Sequence, residues 1–315
     1  MTPKVSVCMI TYNHAAYIAQ AIEGVLMQKT DFTVELVIGE DCSTDATRSI
    51  ISAYQKAYPD KIKLLLPEHN LGMMKNFLNT LSACDGEYVA FCDGDDYWTD
   101  PLKLQKQVDF LDSHPDFAIS FHRALILHES TGQTEFSNKS QKSVSSVTDL
   151  FKENFICTTT TVYRNRPFSY YPTFLEQAAV GDWTLHVLNA ATGKIGFMED
   201  TMAAYRLHQG GTMASTNASY AKLKTMLHQN IKTFASLDTF LHYKYHKEIK
   251  ELIAGFYKHL VISNLREKQK AASVKNCLQV LKNRPVIKSA ALLLLVIFAP
   301  STTALHLLQR PSSDQ

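Results

Sequence analysis

Residues 88–96 read Tyr88-Val89-Ala90-Phe91-Cys92-Asp93-Gly94-Asp95-Asp96. An apolar run with no polar alternation leads straight into three carboxylates around one glycine. A strand of that kind is buried on both faces, as strands of parallel sheets are. The pattern recurs upstream. Residues 5–10 run into Thr11-Tyr12-Asn13, residues 34–38 run into Glu40-Asp41, and residues 62–66 supply another apolar run. Helical spacing fills the gaps: Tyr17, Ile18, Ala21, Ile22, Val25 and Leu26; then Ile50, Ile51 and Tyr54, capped at Ser43 or Thr44 and stopping before Pro59; then Phe77 and Leu81, ending near Asp85-Gly86. This alternation predicts an α/β fold, a parallel sheet covered by helices on both faces. Ligands of such sheets bind beyond the carboxyl ends of the strands. That rule selects the three polar segments after the strands.

Residues 117–208 are less regular. A strand is expected over 118–128, a mobile polar loop over 130–146, a β-prone stretch over 157–163 and a short helix over 183–191. Residues 220–272 are helical in pattern with few breakers. The expected organisation is a ligand-binding domain over 1–215, a helical extension over 216–283 and a basic, apolar tail over 284–315.

At 45% apolar and 20% charged residues the chain has enough core-forming material to exclude disorder. Its six cysteines are scattered with no C-x-x-C pair, which argues for free thiols in a reducing compartment rather than disulfides or zinc. Residues 5–10 are too short for a secretory leader, so a cytoplasmic location is expected. The net charge of +2 hides an asymmetry: residues 268–313 hold seven basic residues and no carboxylate. Nucleic acid is a poor partner for that tail because it is also strongly apolar. Its uninterrupted apolar stretch, residues 290–299, falls short of the ~20 residues that span a bilayer. It reads either as a buried helix or as an interfacial segment drawn to an anionic membrane surface by its flanking cations.

Asp93, Asp95 and Asp96 repel one another at a strand end, and a cation neutralises them most simply. Oxygen donors favour Mg²⁺ or Mn²⁺, ions that also bind substrate phosphates. A solvated acidic turn is the competing reading. Gly94 admits a close backbone approach. At Glu40-Asp41, helix capping by the following Ser43 or Thr44 leaves the two carboxylates at the strand end unexplained; a carboxylate there could accept from the imide of a base.

Taken in order, V-S-V-C-M-I-T-Y-N at 5–13, E-D-C-S-T-D-A-T at 40–47, Asn70-Leu71-Gly72 and Asp93-Gly94-Asp95-Asp96 resemble the signature of family 2 glycosyltransferases with the GT-A fold. The resemblance covers roughly the first 210 residues and implies the GT-A form of the α/β fold, a mixed, mostly parallel sheet flanked by helices. It implies an inverting transferase, of hexosyl or N-acetylhexosaminyl type, that uses a nucleotide-diphosphate sugar, most often a UDP-sugar, and a Mn²⁺ or Mg²⁺ ion. It also implies a glycan or lipid-linked saccharide acceptor and a place in bacterial surface polysaccharide assembly. Residue by residue, it puts Thr11 and Tyr12, with Asn13, beside the nucleobase and Asp41 on the uracil imide. Glu40 stands where the family more often has Asp. Asp93 falls near the ribose, Asp95 on the metal, and Asp96 behind the metal or on the donor sugar. Asp182, in Gly181-Asp182-Trp183, matches the general base, although the family usually has Glu where Gly181 stands. If it is not the base, it caps the helix starting at Trp183. In Tyr205-Arg206-Leu207-His208, His208 matches a metal or diphosphate contact. Arg206 would pair with phosphate or hold the base, and Gly210-Gly211 suggest a lid. The competing classes are a non-catalytic nucleotide-sugar-binding module, a membrane scaffold and a nucleotidyltransferase; the last should show a Gly-rich, basic loop after the first strand, which Thr11-Tyr12-Asn13-His14 is not.

Overall fold

The computed structural model describes residues 2–165, 172–211 and 219–308. The chain forms two compact units, one of Met1–Glu176 with Gly181–Gly211 and one of Gln177–Val180 with Thr212–Gln315. The expected boundary at 215/216 and the tail's Arg310 lie outside the described residues.

The first unit begins with strict alternation: β1 (Val5–Thr11), α1 (Ile18–Leu26), β2 (Val34–Glu40), α2 (Thr47–Ala57), β3 (Ile62–Leu65), α3 (Met73–Ser82) and β4 (Tyr88–Phe91). These strands lie in the order β3-β2-β1-β4, all parallel. Val5, Val7, Met9, Leu36, Ile38, Tyr88 and Ala90 are buried in one cluster with Ile18, Ile22 and Val25 of α1. Burying each such side chain fully is worth ~1.5–3 kcal/mol, so the apolar runs themselves hold this half together.

The second half is mixed. It contains β5 (Tyr97–Trp98), α4 (Lys103–Ser113), β6 (Phe117–His128), β7 (Gln133–Phe136), β8 (Val144–Ser145), α5 (Val147–Leu150), β9 (Val162–Arg164), α6 (Gly181–Ala190) and β10 (Lys194–Leu207). The sheet continues β4-β9-β6-β10-β5, with β9 antiparallel to both neighbours and β10 parallel to β6. β5 pairs antiparallel with β10, Trp98 against Ala203 and Tyr97 against Ala204. This pairing brings the end of β10 beside Asp95 and Asp96.

Several elements differ from expectation. Residues 130–146 are not a loop throughout: β7 pairs with the end of β6, and β8 pairs with β10. All four β7 side chains are exposed, so main-chain pairing builds it with no apolar period to announce it. In β10 the apolar residues are interrupted by Glu199-Asp200, where the pairing register shifts. In α4 the buried face carries Lys103 and Gln107. The Lys103 ammonium donates to Gln107 Oε1 at 2.8 Å and sits 4.1 Å from the Trp98 ring centroid. Burial pushes its pKa down to about 7. Ser43 and Thr44 do not cap α2, which starts only at Thr47. They tie the first two loops together instead: Asn13 N donates to Ser43 Oγ and Thr44 N to Asn13 Oδ1.

The second unit is helical: α7 (Tyr220–Phe240), α8 (His246–Arg266), α9 (Lys270–Asn283), α10 (Ile287–Phe298) and α11 (Ser301–Leu308). Leu292, Val296 and Ala304 of the tail share a buried cluster with Val261, Leu265, Cys277 and Val280. The tail is therefore packed on the helices before it. The opposite face of α10 leaves Ile287 at 88% and Phe298 at 79% exposed, with Leu294 between them. Among the described residues, no helix is long and apolar enough to cross a membrane. All six cysteines are free; Cys42 and Cys157 are half-buried and the rest buried.

Candidate active site

The turn after β4 folds back on the end of β10. Asp96 is buried and accepts from Arg206 N at 2.9 Å, and the Arg206 guanidinium donates to the Asp95 carbonyl at 2.6 Å. Arg206 also donates to Gln20, lies 3.6 Å from Glu129 and stacks over Tyr97 at 4.4 Å. Glu129 in turn accepts from the Tyr17 hydroxyl at 2.7 Å. Arg206 is thus buried and engaged within the protein, bracing the acidic turn.

Asp95 Oδ2 is the focus of two imidazoles. His208 Nε2 lies 3.0 Å from it and His14 Nε2 3.7 Å. One donor atom from each of the three residues fits within 4.8 Å. The electrostatics follow the geometry. Burial raises Asp93 to about 8, helped by the charges of Asp95 and Asp182. Burial likewise holds Asp96 well above the carboxylate range, helped by Asp95 and Asp93. Burial opposes ionisation of Asp95 too, but the His208 hydrogen bond and the His14 charge outweigh it and keep that carboxyl low. His208 is raised, chiefly by its bond to Asp95. The turn therefore offers one carboxylate between two imidazoles, with two further carboxyl groups whose charged form is disfavoured by burial and by their neighbours. Asp95, His208 and His14 supply donors at spacings a divalent ion can bridge.

The second cradle surrounds Asp41. Its carboxylate accepts from Leu71 N at 2.7 Å and Gly72 N at 3.0 Å, and Asn70 Nδ2 donates to its carbonyl at 2.8 Å. The Asn70-Leu71-Gly72 piece of the signature therefore exists to hold Asp41, and Gly72, at φ +83°, takes a backbone conformation that other residues avoid. Each Asp41 oxygen retains a lone pair for a ligand. Glu40 is different. It is fully buried and takes Ser43 N and Arg48 Nε on its two oxygens, so its role is to fasten the loop. Thr11 is buried with its hydroxyl unpartnered, Asn13 spans two loops, and Tyr12 stands 44% exposed.

Asp182 sits in the first turn of α6, which starts at Gly181 rather than Trp183. Its Oδ1 accepts from Trp183 N and its Oδ2 from Thr158 Oγ1, both at 2.7 Å. Thr158 lies on a short 3-10 turn, Thr158–Thr160, pinned by Trp98 Nε1 to the Thr159 carbonyl and Gln107 Nε2 to the Thr160 carbonyl. A side chain at Gly181 would have to displace the end of Met74, which fills that space.

Sequence reasoning missed His14, Glu129 and Thr158. His14 was the findable one, because it directly follows Thr11-Tyr12-Asn13 in a segment already selected by the strand-end rule. Thr158 and Glu129 carry no local signal; only the folded sheet brings them to Asp182 and Arg206.

Residues 6–171 match the family model for glycosyl transferase family 2. An uncharacterized protein of Mycobacterium tuberculosis is 40% identical over 252 residues, 79% of this chain and 71% of its own. The crystal structure of S. aureus TarS 1-349 in complex with UDP-GlcNAc aligns with a TM-score of 0.56 at 18% identity, over 90% of this chain and 92% of that one. The mannosyltransferase PcManGT from Pyrobaculum calidifontis, in complex with GDP-Man and Mn²⁺, aligns at 0.54 and 16%, over 98% and 84%. With its acidic turn, its parallel strands and this match, the chain belongs to glycosyl transferase family 2 and is a glycosyltransferase.

Proposed function

We propose that the chain is a metal-dependent, inverting glycosyltransferase that moves a hexosyl or N-acetylhexosaminyl group from a UDP-sugar to a hydroxyl of a glycan or lipid-linked saccharide, in bacterial surface polysaccharide assembly. The observation that carries the proposal is the convergence of Asp95 and His208 on one oxygen-nitrogen focus, with the Asp182 carboxylate held by Thr158 and the Trp183 amide. Asp95 and His208 would hold a divalent cation, Mn²⁺ or Mg²⁺, which when bound would supply charge neutralisation for the departing diphosphate. Asp182 takes the proton of the acceptor hydroxyl as its oxygen attacks C1; the bond from C1 to the diphosphate oxygen breaks on the opposite face, which inverts the centre. Thr158 and the Trp183 amide fix that carboxylate in orientation. Asp41, held by Leu71 and Gly72, accepts from the uracil imide, and exposed Tyr12 covers the base. Asp93 and Gly94 line the ribose side of the turn, and Asp96 supports it from behind.

The ligands of the two solved neighbours, UDP-GlcNAc and GDP-Man with Mn²⁺, support a nucleotide-sugar donor. We assign the cytoplasmic face of a membrane as the working location: Ile287, Leu294 and Phe298 form an exposed apolar strip within residues 268–313, which hold no carboxylate. The donor reading is tested by calorimetric titration of UDP with and without Mn²⁺. UDP binding that tightens at least tenfold with Mn²⁺ in wild type, but not in Asp95→Asn, is the expected result; Mn²⁺-independent affinity contradicts the proposal.

A further inference from the structure

We propose that His14 is a third protein ligand of the divalent cation, so that the centre is a two-histidine, one-carboxylate face; this rests on the metal-dependent transferase reading above. The His14 side chain is 18% exposed, and its Nδ1 is buried with no hydrogen-bond partner among the described residues. Its Nε2 points at Asp95 Oδ2 from 3.7 Å, the oxygen that His208 Nε2 meets at 3.0 Å. A cation ~2.1 Å from each donor accepts donors ~3–4.2 Å apart, and both distances fall in that range.

The ring is held there by backbone rather than chance. His14 N donates to Thr47 Oγ1 at 2.9 Å, and the His14 carbonyl accepts from Tyr17 N and Ile18 N as α1 begins. The neighbouring Ala15 N donates to Asp45. Gly94 leaves the room: a Cβ at that position would lie 2.6 Å from Thr11 Oγ1 and 3.1 Å from His14 Nδ1. The glycine of the acidic turn therefore makes room first for Thr11 and, less tightly, for this imidazole. A face of two imidazoles and one carboxylate leaves open positions for diphosphate oxygens. It favours a first-row transition cation such as Mn²⁺ over Mg²⁺, which prefers oxygen ligands and keeps its waters.

The test uses the full chain with Mn²⁺ and excess UDP. Pulsed electron paramagnetic resonance of the wild type is expected to show nitrogen couplings from two histidines, falling to one in His14→Gln. Mn²⁺ affinity, read from loss of the free-ion signal, is expected to fall at least tenfold in His14→Gln and His14→Ala, and Mg²⁺ affinity by less than about threefold. A single histidine coupling in the wild type, or unchanged Mn²⁺ affinity in both variants, overturns the assignment and leaves the transferase reading standing. Wild type that takes up no Mn²⁺ with UDP present overturns both. The wild-type spectrum decides the matter even if a variant fails to fold.

Discussion

Asp182 is held from two sides, by the Trp183 amide and the Thr158 hydroxyl. A base must be aimed as well as ionised, so the two residues should separate in mutation. Asp182→Asn keeps the shape and removes the proton acceptor; kcat is expected to fall about 10²–10⁴-fold with donor affinity unchanged. Thr158→Val removes one hydrogen bond to a charged group, worth ~1.5–3 kcal/mol. A roughly tenfold or greater loss of kcat, with donor KM constant, is expected from initial rates; a change in KM alone would show Thr158 to be a binding residue. Asp41 answers to a stability measurement. Asp41→Ala leaves the Leu71 and Gly72 amides without their acceptor, and urea unfolding is expected to show a loss of about 2–3 kcal/mol. No loss would mean that the 70–72 loop holds itself.

At the scale of elements, the parallel half was legible because its apolar strands are buried on both faces and its polar residues are confined to the strand ends. The chemistry at those ends was legible in identity and less so in assignment. Glu40 and Arg206 read as ligand contacts and are found bonded to loops of the protein, which sequence does not reveal, since a carboxylate or guanidinium looks the same whether its partner is substrate or protein. The mixed half was less legible. β7 is built by main-chain pairing, β10 is broken by a bulge, and α4 buries Lys103 and Gln107 where a periodic pattern expects apolar residues. Lys103 gives that element its own test. Its folded pKa of about 7 lies below the unfolded value of 10.5. Below pH 7 both states hold the proton and the burial penalty is full; between about 7 and 10.5 only the unfolded chain holds it, so stability rises with pH through that window. The slope reaches at most about 1.4 kcal/mol per pH unit. Lys103→Met is expected to remove that contribution, so the variant's stability advantage over wild type shrinks as pH rises from 7 to 10. A difference constant with pH contradicts it.

The whole molecule joins a sheet-based catalytic unit to a helical one that ends in a basic, apolar tail. Because Leu292, Val296 and Ala304 are packed inside the helical unit, cutting the tail away would expose a core as well as remove a contact surface. The membrane proposal is better tested by Ile287→Ser with Phe298→Ser, which alter only the exposed strip. Co-sedimentation with anionic phospholipid vesicles is expected to drop several-fold while thermal stability holds; retained sedimentation removes the membrane from the account. The central claim, that the acidic turn and Asp182 form one transferase centre, is met most directly by turnover. A panel of UDP-, GDP- and dTDP-sugars with Mn²⁺ should show the wild type releasing nucleoside diphosphate from at least one UDP-sugar, and Asp182→Asn binding that donor equally well without turning it over. Release at the wild-type rate by Asp182→Asn, or no turnover of any donor by the wild type, would contradict it.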